Sequence, residues 1–427
     1  MEAADLLSWL RTGCVLVAAA LAVIFGSGVE ASSVVHELGR SAARQPAPVL
    51  MRGAATTTVA ALGSAVVAAA TEQVRTEAAA GTAVSHMSAA QLAGQRVIYS
   101  YPGRTPPASL LAAIRQGRVA GVIFFAANYA SPAQFRAAIR ALTAANASAA
   151  NPARGYPLLL TTDQEGGEVN RVPGGPAESE KQIGARQPLA AARTAAGQAG
   201  AAAAANLASH GLNVDLAPVL DVYRTAGDFD DQYGRSYSSD PAVVAALGAS
   251  FITAMQARHV AATAKHFPGL GAAAAQQNTD AGPVTINASA AGLQSTDESP
   301  YPAAIAAGVR LVMLSWAVYP ELGSDRPAGL SAPLVQGLLR GQLGFQGVTI
   351  TDAIEAGALR RYGPVSRRAA LAAAAGMDLI LASAQDSAEG AQAAAGVQSA
   401  AAAGTLSQAS IDAAVQQILL LRASLRP

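Results

Sequence analysis

The chain has 427 residues, of which 51% are apolar but only 5% aromatic and 13% charged, so the apolar content is largely alanine. Such a composition favours helices that pack closely on a sheet. The formal net charge of +1 provides no strong field for a nucleic acid or another polyanion. A single cysteine, Cys14, excludes an intramolecular disulfide and a thiolate metal cluster. With only five histidines, the chemistry is expected to use carboxylates and no metal.

An apolar run near the N-terminus predicts export. Gly13–Gly26 follows Arg11 and precedes Val29–Ala31, which is an acceptable cleavage site. Residues 1–31 therefore have the features of a secretory signal peptide. An uncleaved membrane anchor over residues 9–26 is the alternative, because this stretch approaches the roughly 20 residues of a spanning helix.

The next segment, residues 32–85, is rich in Ala, Thr and Ser and has no sustained amphipathic period. It is predicted to be a flexible linker. A second leader-like stretch begins at Met51, so a start of translation there would make that stretch the export signal instead. The remaining residues, 86–427, are predicted to form one catalytic domain, and we expect the protein to be a monomer.

Eight short apolar, β-rich runs alternate with alanine-rich helical stretches from Gln95 onward, which predicts βα repeats and a parallel sheet. The runs are 96–101, 119–125, 157–162, 212–222, 260–265, 309–316, 347–351 and 377–382. Eight repeats in about 330 residues have the size of a (β/α)8 TIM-type barrel. An open doubly wound sheet is the alternative, but no glycine-rich phosphate motif follows the first run. A barrel would place catalytic groups at the C-terminal ends of its strands.

An acidic segment, Asp163–Arg171, follows the third predicted strand directly. Ionised carboxylates accept strong hydrogen bonds from hydroxyl groups, so this segment is suited to binding a sugar. Its double glycine lets the backbone turn sharply. A solvated turn with helix-capping acids is the alternative, which would account for Glu168 but not for Asp163.

Cationic side chains follow the next two predicted strands. Arg235 lies in the loop after the fourth strand, where an arginine is ordinarily a solvated charge. Lys265 and His266 end the fifth strand, immediately before a Phe-Pro-Gly sequence that breaks it. In a barrel Lys265 and His266 would lie at the mouth.

Asp352 comes directly after the apolar residues of the seventh predicted strand. An aspartate there is costly to desolvate unless cations such as Lys265 and Arg235 keep it ionised. An ionised carboxylate in a water-poor pocket is what a retaining glycosidase uses as its nucleophile. The alternative is a helix N-cap.

Four motifs in chain order resemble those of glycoside hydrolase family 3, in particular its single-domain β-N-acetylhexosaminidase branch. They are DQEGGEVNR (163–171), GRSYSSDP (234–241), KHFPGLG (265–271) and GVTITDA (347–353). The resemblance covers residues 88–425. It implies a barrel that cleaves terminal N-acetylglucosamine from cell-wall fragments or chitin-type oligosaccharides without a metal or organic cofactor, and β-glucosides are substrates in the wider family.

The resemblance also implies roles for individual residues. Asp352 would be the nucleophile. The hydroxyl groups of the sugar that is cleaved off would be held by Asp163, Arg171, Arg235, Lys265 and His266.

The sequence departs from this branch at the general acid/base. The branch usually carries an Asp-Ser-His triplet on the loop after Lys-His-Phe-Pro-Gly, and the matching positions here are Gln276–Asn278. None of these side chains can donate and recover a proton near neutral pH. Asp280, two positions further on the same loop, is the first candidate substitute. Glu355 is a weaker candidate, because it lies three residues from Asp352 and could instead open the next helix.

A second departure is Ser315-Trp316 at the end of the sixth strand, where the family commonly has Ala-His. Trp316 could stack on the face of a sugar ring, or it could fill the core.

Two functions follow from these observations. The first is a retaining glycosidase that forms a covalent glycosyl-Asp352 intermediate, and the second is a non-catalytic sugar-binding or regulatory barrel that has lost its acid/base.

Overall fold

The computed structural model describes the backbone of residues 52–425 and the side chains of residues 68–425. Eight parallel strands close into a barrel in which chain neighbours pair, and two further strands form an antiparallel hairpin. The strands are β1 (Val97–Tyr99), β2 (Gly121–Ile123), β3 (Leu159–Thr162), β4 (Gln164–Gly166), β5 (Val169–Asn170), β6 (Val214–Asp215), β7 (Ala261–Phe267), β8 (Leu311–Leu314), β9 (Val348–Ala353) and β10 (Leu379–Leu381). The predicted barrel is confirmed, since each of the eight predicted runs overlaps one barrel strand.

Helices connect the strands and cover the barrel. They are α1 (Arg52–Ser85), α2 (Ala89–Gly94), α3 (Ala108–Arg115), α4 (Pro132–Asn146), α5 (Glu180–Gly184), α6 (Leu189–His210), α7 (Phe229–Gln232), α8 (Pro241–Gln256), α9 (Ala290–Gly292), α10 (Tyr301–Ala306), α11 (Val365–Ala375), α12 (Ser387–Ala402) and α13 (Gln408–Ser424), with wider helical turns at Leu293–Asp297 and Pro333–Gln342. Ser131 and Asp240 cap α4 and α8, each followed by a proline in the first turn. The small residues of α6 allow close packing on α8, since a Cβ on Gly200 would lie 2.3 Å from the Phe251 carbonyl oxygen.

The barrel interior is a layer of aliphatic side chains, one or two from each strand. The cluster includes Ile98, Ile123, Leu159, Val214, Ala261, Leu311, Met313, Val348, Ile350, Leu379 and Leu381. Ile418 and Leu421 of α13 join it, as does Leu425, the residue that follows this helix. The neighbouring Arg422 is buried and donates to the carbonyl of Pro157, just before β3. Helix α13 therefore closes the N-terminal end of the barrel, and the C-terminal strand ends form the open mouth.

The fourth barrel strand is shorter than the predicted run over residues 212–222. Regular pairing is confined to β6, and one isolated bridge joins Val219 to Lys265 further along. Pro218 lies between the two and has no N–H to donate to a ladder. Residues 219–222 nevertheless continue along the barrel and carry polar groups to its mouth.

The flexible linker predicted over residues 32–85 differs from the structure in its second part, because residues 52–85 form helix α1. Alanine has the highest helix propensity, so this composition is compatible with a helix even without an amphipathic period. The barrel lies in the unit Val74–Pro427, where Ala80 and Val84 of α1 are buried. No helix within residues 52–425 is long and apolar enough to cross a membrane. The predicted signal peptide or anchor lies outside the described residues.

Candidate active site

Two barrel strands contain an extra residue next to polar side chains. In β7 the pair Lys265–His266 lies opposite a single residue of β8. In β9 the pair Thr351–Asp352 lies opposite a single residue of β10. Such bulges change the direction of a side chain and are frequent beside active sites. Both lie towards the C-terminal ends of their strands, at the mouth of the barrel.

A buried carboxylate, Glu165, joins the two predicted cations. Its Oε1 lies 2.7 Å from Lys265 Nζ, and its two oxygens accept hydrogen bonds of 2.9 and 3.0 Å from Arg235. Arg235 also donates to Asp230 over 2.7 Å. Burial alone would raise the pKa of Glu165, but Arg235 and Lys265 hold it well below its usual range. The pairing fixes both cations in one orientation.

Asp163 lies beside this network and remains open to the mouth. Its Oδ1 accepts a 2.8 Å hydrogen bond from Lys265 Nζ, and 20% of its side chain is exposed. The β4–β5 hairpin holds it in place, since the Arg171 N–H donates to the Asp163 carbonyl over 3.3 Å. Gly166 makes the hairpin possible: its φ is +107°, and a Cβ there would lie 2.2 Å from the Glu178 carbonyl oxygen.

His266 is held by Asp221. The Nδ1 of His266 lies 2.6 Å from Asp221 Oδ2, and both side chains are buried. Burial alone would lower the pKa of His266, but the Asp221 carboxylate raises it above the usual value. Since Nδ1 is engaged, Nε2 is the ring nitrogen left to donate to a sugar hydroxyl.

Asp352 lies near the end of β9, and Asp280 lies on a loop that is bonded to the segment after β9. Asp352 is partly exposed, and its Oδ1 accepts the Ala353 N–H over 2.7 Å. Asp280 has an exposed side chain, and its carbonyl accepts the Gly357 N–H over 2.8 Å. A Cβ on Gly357 would lie 2.3 Å from the Ala281 carbonyl oxygen, so only glycine permits this approach. The loop of Asp280 is thus docked on the segment that follows Asp352.

The surroundings of Asp280 favour its protonated form. Partial removal from water raises its pKa to about 6, and the negative charge of Asp352 adds to the effect. The positive charge of His266 acts in the opposite direction. A carboxyl group that titrates near pH 6 beside a second carboxylate is suited to acid/base chemistry.

The three residues in place of the usual acid/base triplet shape the loop that carries Asp280. Gln277 Oε1 accepts the Ala274 N–H, and Asn278 Oδ1 accepts the Asp280 N–H, both over 2.8 Å. Gln276 is exposed. Two of these side chains therefore serve as local turn caps.

Glu355, the weaker candidate for the acid/base, already accepts hydrogen bonds from Ser383. Its Oε1 accepts a 2.7 Å hydrogen bond from Ser383 Oγ, and its Oε2 accepts the Ser383 N–H over 3.3 Å. Burial raises its pKa, the Ser383 hydrogen bonds lower it, and the charge of Asp352 raises it further. Its position is fixed by Ser383, whereas the Asp280 carboxyl remains exposed.

The structure contradicts the substrate-binding role predicted for Trp316. The indole is fully buried, and its Nε1 donates to the Ala353 carbonyl over 2.8 Å. Gly329 lies against the ring, since a Cβ there would be 2.5 Å from Cζ3. With no open face, Trp316 fills the core behind β9 and cannot stack on a sugar.

Three buried acids of the site were not among the predicted site residues: Glu165, Asp221 and Asp230. Glu165 belongs to the acidic segment 163–171, and Asp221 ends the fourth predicted run, so their positions gave a signal. The partners of Glu165 and Asp221 lie at least 45 residues away in the chain, so their pairing is visible only in the folded protein.

Comparison with known proteins agrees with the barrel and its motifs. A family model described as the glycosyl hydrolase family 3 N terminal domain matches residues 88–421. A protein of Arthroderma benhamiae described as an uncharacterized secreted glycosyl hydrolase is 44% identical over 339 residues, which cover 78% of this chain and 93% of the relative.

Two proteins with more specific descriptions are also similar. A β-hexosaminidase of Xylella fastidiosa is 37% identical over 273 residues, which cover 63% of this chain and 77% of the relative. The crystal structure of a β-N-acetylhexosaminidase from Beutenbergia cavernae matches with a TM-score of 0.68 and 32% identity, over 79% of this chain and 99% of that one.

Proposed function

The chain belongs to glycosyl hydrolase family 3 and is a glycosidase, and we propose that it removes terminal β-linked N-acetylglucosamine with retention of configuration. The observation that carries the proposal is the pair of carboxyl groups at the mouth, Asp352 and Asp280, in which Asp352 helps to raise the pKa of Asp280 to about 6. A retaining glycosidase needs one ionised and one protonated carboxyl group. The substrate would be an oligosaccharide or a cell-wall-derived glycan.

The first chemical step would form a glycosyl ester. An oxygen of Asp352 attacks the anomeric carbon while the bond to the leaving oxygen breaks, and Asp280 gives its proton to that oxygen. In the second step Asp280, now ionised, takes a proton from water as the water attacks the anomeric carbon. The ester bond breaks, which frees the sugar and restores both carboxyl groups.

The remaining predicted residues would hold the sugar during these steps. Asp163 offers a carboxylate oxygen, and Arg171, Lys265, His266 and Arg235 offer N–H donors to the hydroxyl groups. The ion-pair distances support a preformed site, because the Lys265 ammonium and the Arg235 guanidinium already have fixed partners. Fixed donors lose little entropy when a substrate binds.

We further propose that the protein acts outside the cytoplasm. Residues 1–31 have the features of a signal peptide, and the Arthroderma relative is described as secreted. A membrane tether through residues 9–26 is the alternative route to the same location, and we propose a monomer in either case. Fractionation of cells that express the full chain, with N-terminal sequencing of the product, distinguishes the two.

A series of aryl glycosides tests the proposed reaction. Aryl β-N-acetylglucosaminides should be cleaved faster than the matching β-glucosides. Compounds with poor leaving groups should remain substrates, because Asp280 protonates the departing oxygen. Turnover confined to good leaving groups would contradict the role of Asp280. Sugar binding without turnover of any compound would instead support the non-catalytic barrel.

A further inference from the structure

Asp221 is a fully buried carboxylate that neither proposed chemical step uses. It lies two residues beyond the bridge between Val219 and Lys265, at the mouth end of the fourth barrel strand. We propose that Asp221 is a positioning residue that fixes His266 against the substrate and anchors the turn leading to Asp280. The inference rests on the proposed function, because it assigns a role within the same site.

Three donors converge on this carboxylate. Oδ2 lies 2.6 Å from His266 Nδ1. Oδ1 accepts the Leu270 N–H over 2.6 Å and the His266 N–H over 3.3 Å. Hydrogen bonds to an ionised, buried acceptor are strong, so one side chain holds the ring and the backbone N–H of His266 and one backbone N–H of the turn that follows.

The turn between Phe267 and Gly271 packs tightly on both sides. A Cβ on Gly271 would lie 2.2 Å from the Val222 carbonyl oxygen, next to Asp221. On the other side, Gly269 has a φ of +149°, and a Cβ there would lie 2.5 Å from Asp297 Cβ. The turn is therefore closely packed between Asp297 and the Val222 carbonyl next to Asp221.

The same segment continues towards Asp280. The Ala273 N–H donates to the Leu270 carbonyl over 2.9 Å, and the Ala273 carbonyl accepts the Phe229 N–H over 2.9 Å. These hydrogen bonds connect Leu270 to the loop that carries Asp280. Loss of the Asp221 carboxylate should displace both ends of this segment.

The charge of His266 depends on the groups around it. Asp221 and Asp230 favour the imidazolium form, while Arg235 opposes it. The imidazolium in turn lowers the pKa of Asp280, which Asp352 and Glu355 raise. Removing the charge of Asp221 should therefore lower the pKa of His266 and raise that of Asp280.

A spectroscopic titration tests the inference without reference to activity. The five histidines are labelled with ¹⁵N in the full chain, and the His266 signals are identified by their loss in His266→Gln. We expect His266 to titrate above the usual midpoint of about 6.5 in the native protein and below it in Asp221→Asn. A native His266 that titrates at or below about 6.5 would overturn the proposal even if the variant failed to fold.

Kinetics provide the second measurement. For a substrate with a good leaving group, Asp221→Asn should lower kcat/KM on the order of 10- to 100-fold, the loss expected for a charged hydrogen bond. For a substrate with a poor leaving group, the decline of kcat/KM at alkaline pH should move to higher pH in this variant, because Asp280 loses the influence of the imidazolium. Asp297→Asn is the matched control, since Asp297 contacts the same turn without touching His266. Asp297→Asn should leave both the His266 titration and the alkaline decline of kcat/KM unchanged.

The two proposals fail separately. An inactive native protein with a raised His266 midpoint would refute the glycosidase reaction and leave the positioning role intact. An active protein whose folded Asp221→Asn variant keeps the native His266 titration and pH profile would refute the positioning role alone.

Discussion

At the scale of single residues, the acid/base is the part of the site that differs most from the resembled family. Gln277 and Asn278 serve as turn caps, and neither amide can transfer a proton. Asp280 lies on the same loop, bonded through its backbone to the segment after Asp352. Its raised pKa and its exposed carboxyl group make it the donor in our account.

Asp280→Asn should separate substrates by leaving group. We expect kcat/KM to fall about 10²- to 10⁴-fold for poor leaving groups and much less for good ones, because only the former need a proton. Steady-state kinetics on both substrate classes provide the measurement. Gln276→Ala, an exposed change on the same loop, is the control and should have no effect. Full activity of Asp280→Asn on poor leaving groups would remove Asp280 from the mechanism.

The dependence of kcat/KM on pH should report the titration of Asp280. Since Asp280 must be protonated in the free enzyme, kcat/KM for poor leaving groups should decline as the pH rises through its pKa of about 6. This alkaline limb should disappear in Asp280→Asn. An identical limb in the variant would assign the titration to another group.

The positions of some residues at the mouth could be predicted from the sequence, whereas the contacts of others could not. Asp163, Lys265 and Asp352 end apolar strands, and strand ends meet at one mouth. The burial of Trp316 depends on its contact with Gly329, and the role of Glu165 depends on partners about 70 and 100 residues away in the chain. Hydrophobic periodicity carries no information on such contacts.

At the scale of elements, the loop carrying Asp280 and the turn Gly357–Tyr362 after β9 form one unit. Backbone hydrogen bonds join Gly357 to Asp280 and Ala358 to Thr279. The approach depends on the missing side chain of Gly357. Backbone packing therefore holds the loop of Asp280 against the segment that follows Asp352, the two residues that we propose as catalytic.

Gly357→Ala should reduce activity on poor leaving groups, as Asp280→Asn should. Its Cβ would meet the Ala281 carbonyl at 2.3 Å and push the loop away, so activity on poor leaving groups should fall at least 10-fold. Activity on good leaving groups should fall less. Gly337→Ala, where a Cβ meets nothing within 4 Å, is the matched control for the assay. Equal activity of the two variants would show that the loop position does not matter.

The elements themselves were largely predictable. Alternation of short apolar runs and alanine-rich stretches identified all eight barrel strands, because each strand must bury its side chains on both faces of the sheet. The extra residues in β7 and β9 were not predictable, since a bulge is defined by its partner strand. The helical part of residues 32–85 was missed because alanine is common both in linkers and in helices.

At the scale of the whole molecule, the folded protein buries carboxyl groups, and their burial favours the protonated form. Burial raises the pKa of Asp215 to about 8 and that of Asp297 to about 7. A carboxyl group whose pKa is raised in the folded state stabilises the fold most at low pH. This contribution is lost as the pH rises through the folded-state pKa.

Since an aspartate in the unfolded chain titrates near pH 4, the melting temperature should fall between about pH 4 and pH 8. Asp215→Asn should reduce this dependence, because an amide at this buried position imitates the protonated acid and keeps an acceptor for the Gln164 N–H. Calorimetry or circular dichroism at several pH values provides the measurement. Glu321→Gln, an exposed change, should leave the slope as it is. If the slope of the melting temperature against pH does not change in Asp215→Asn, the raised pKa of Asp215 is not its cause.

The central claim is that Asp352 forms a covalent bond to the sugar. The protein is incubated with a fluorinated N-acetylglucosaminyl fluoride, digested with trypsin and analysed by tandem mass spectrometry. Cleavage after Arg340 and Arg360 releases residues 341–360, which contain both Asp352 and Glu355. The account predicts a sugar ester on Asp352 and none in Asp352→Asn. An ester on another residue, or turnover of substrates without any trapped ester, would contradict it.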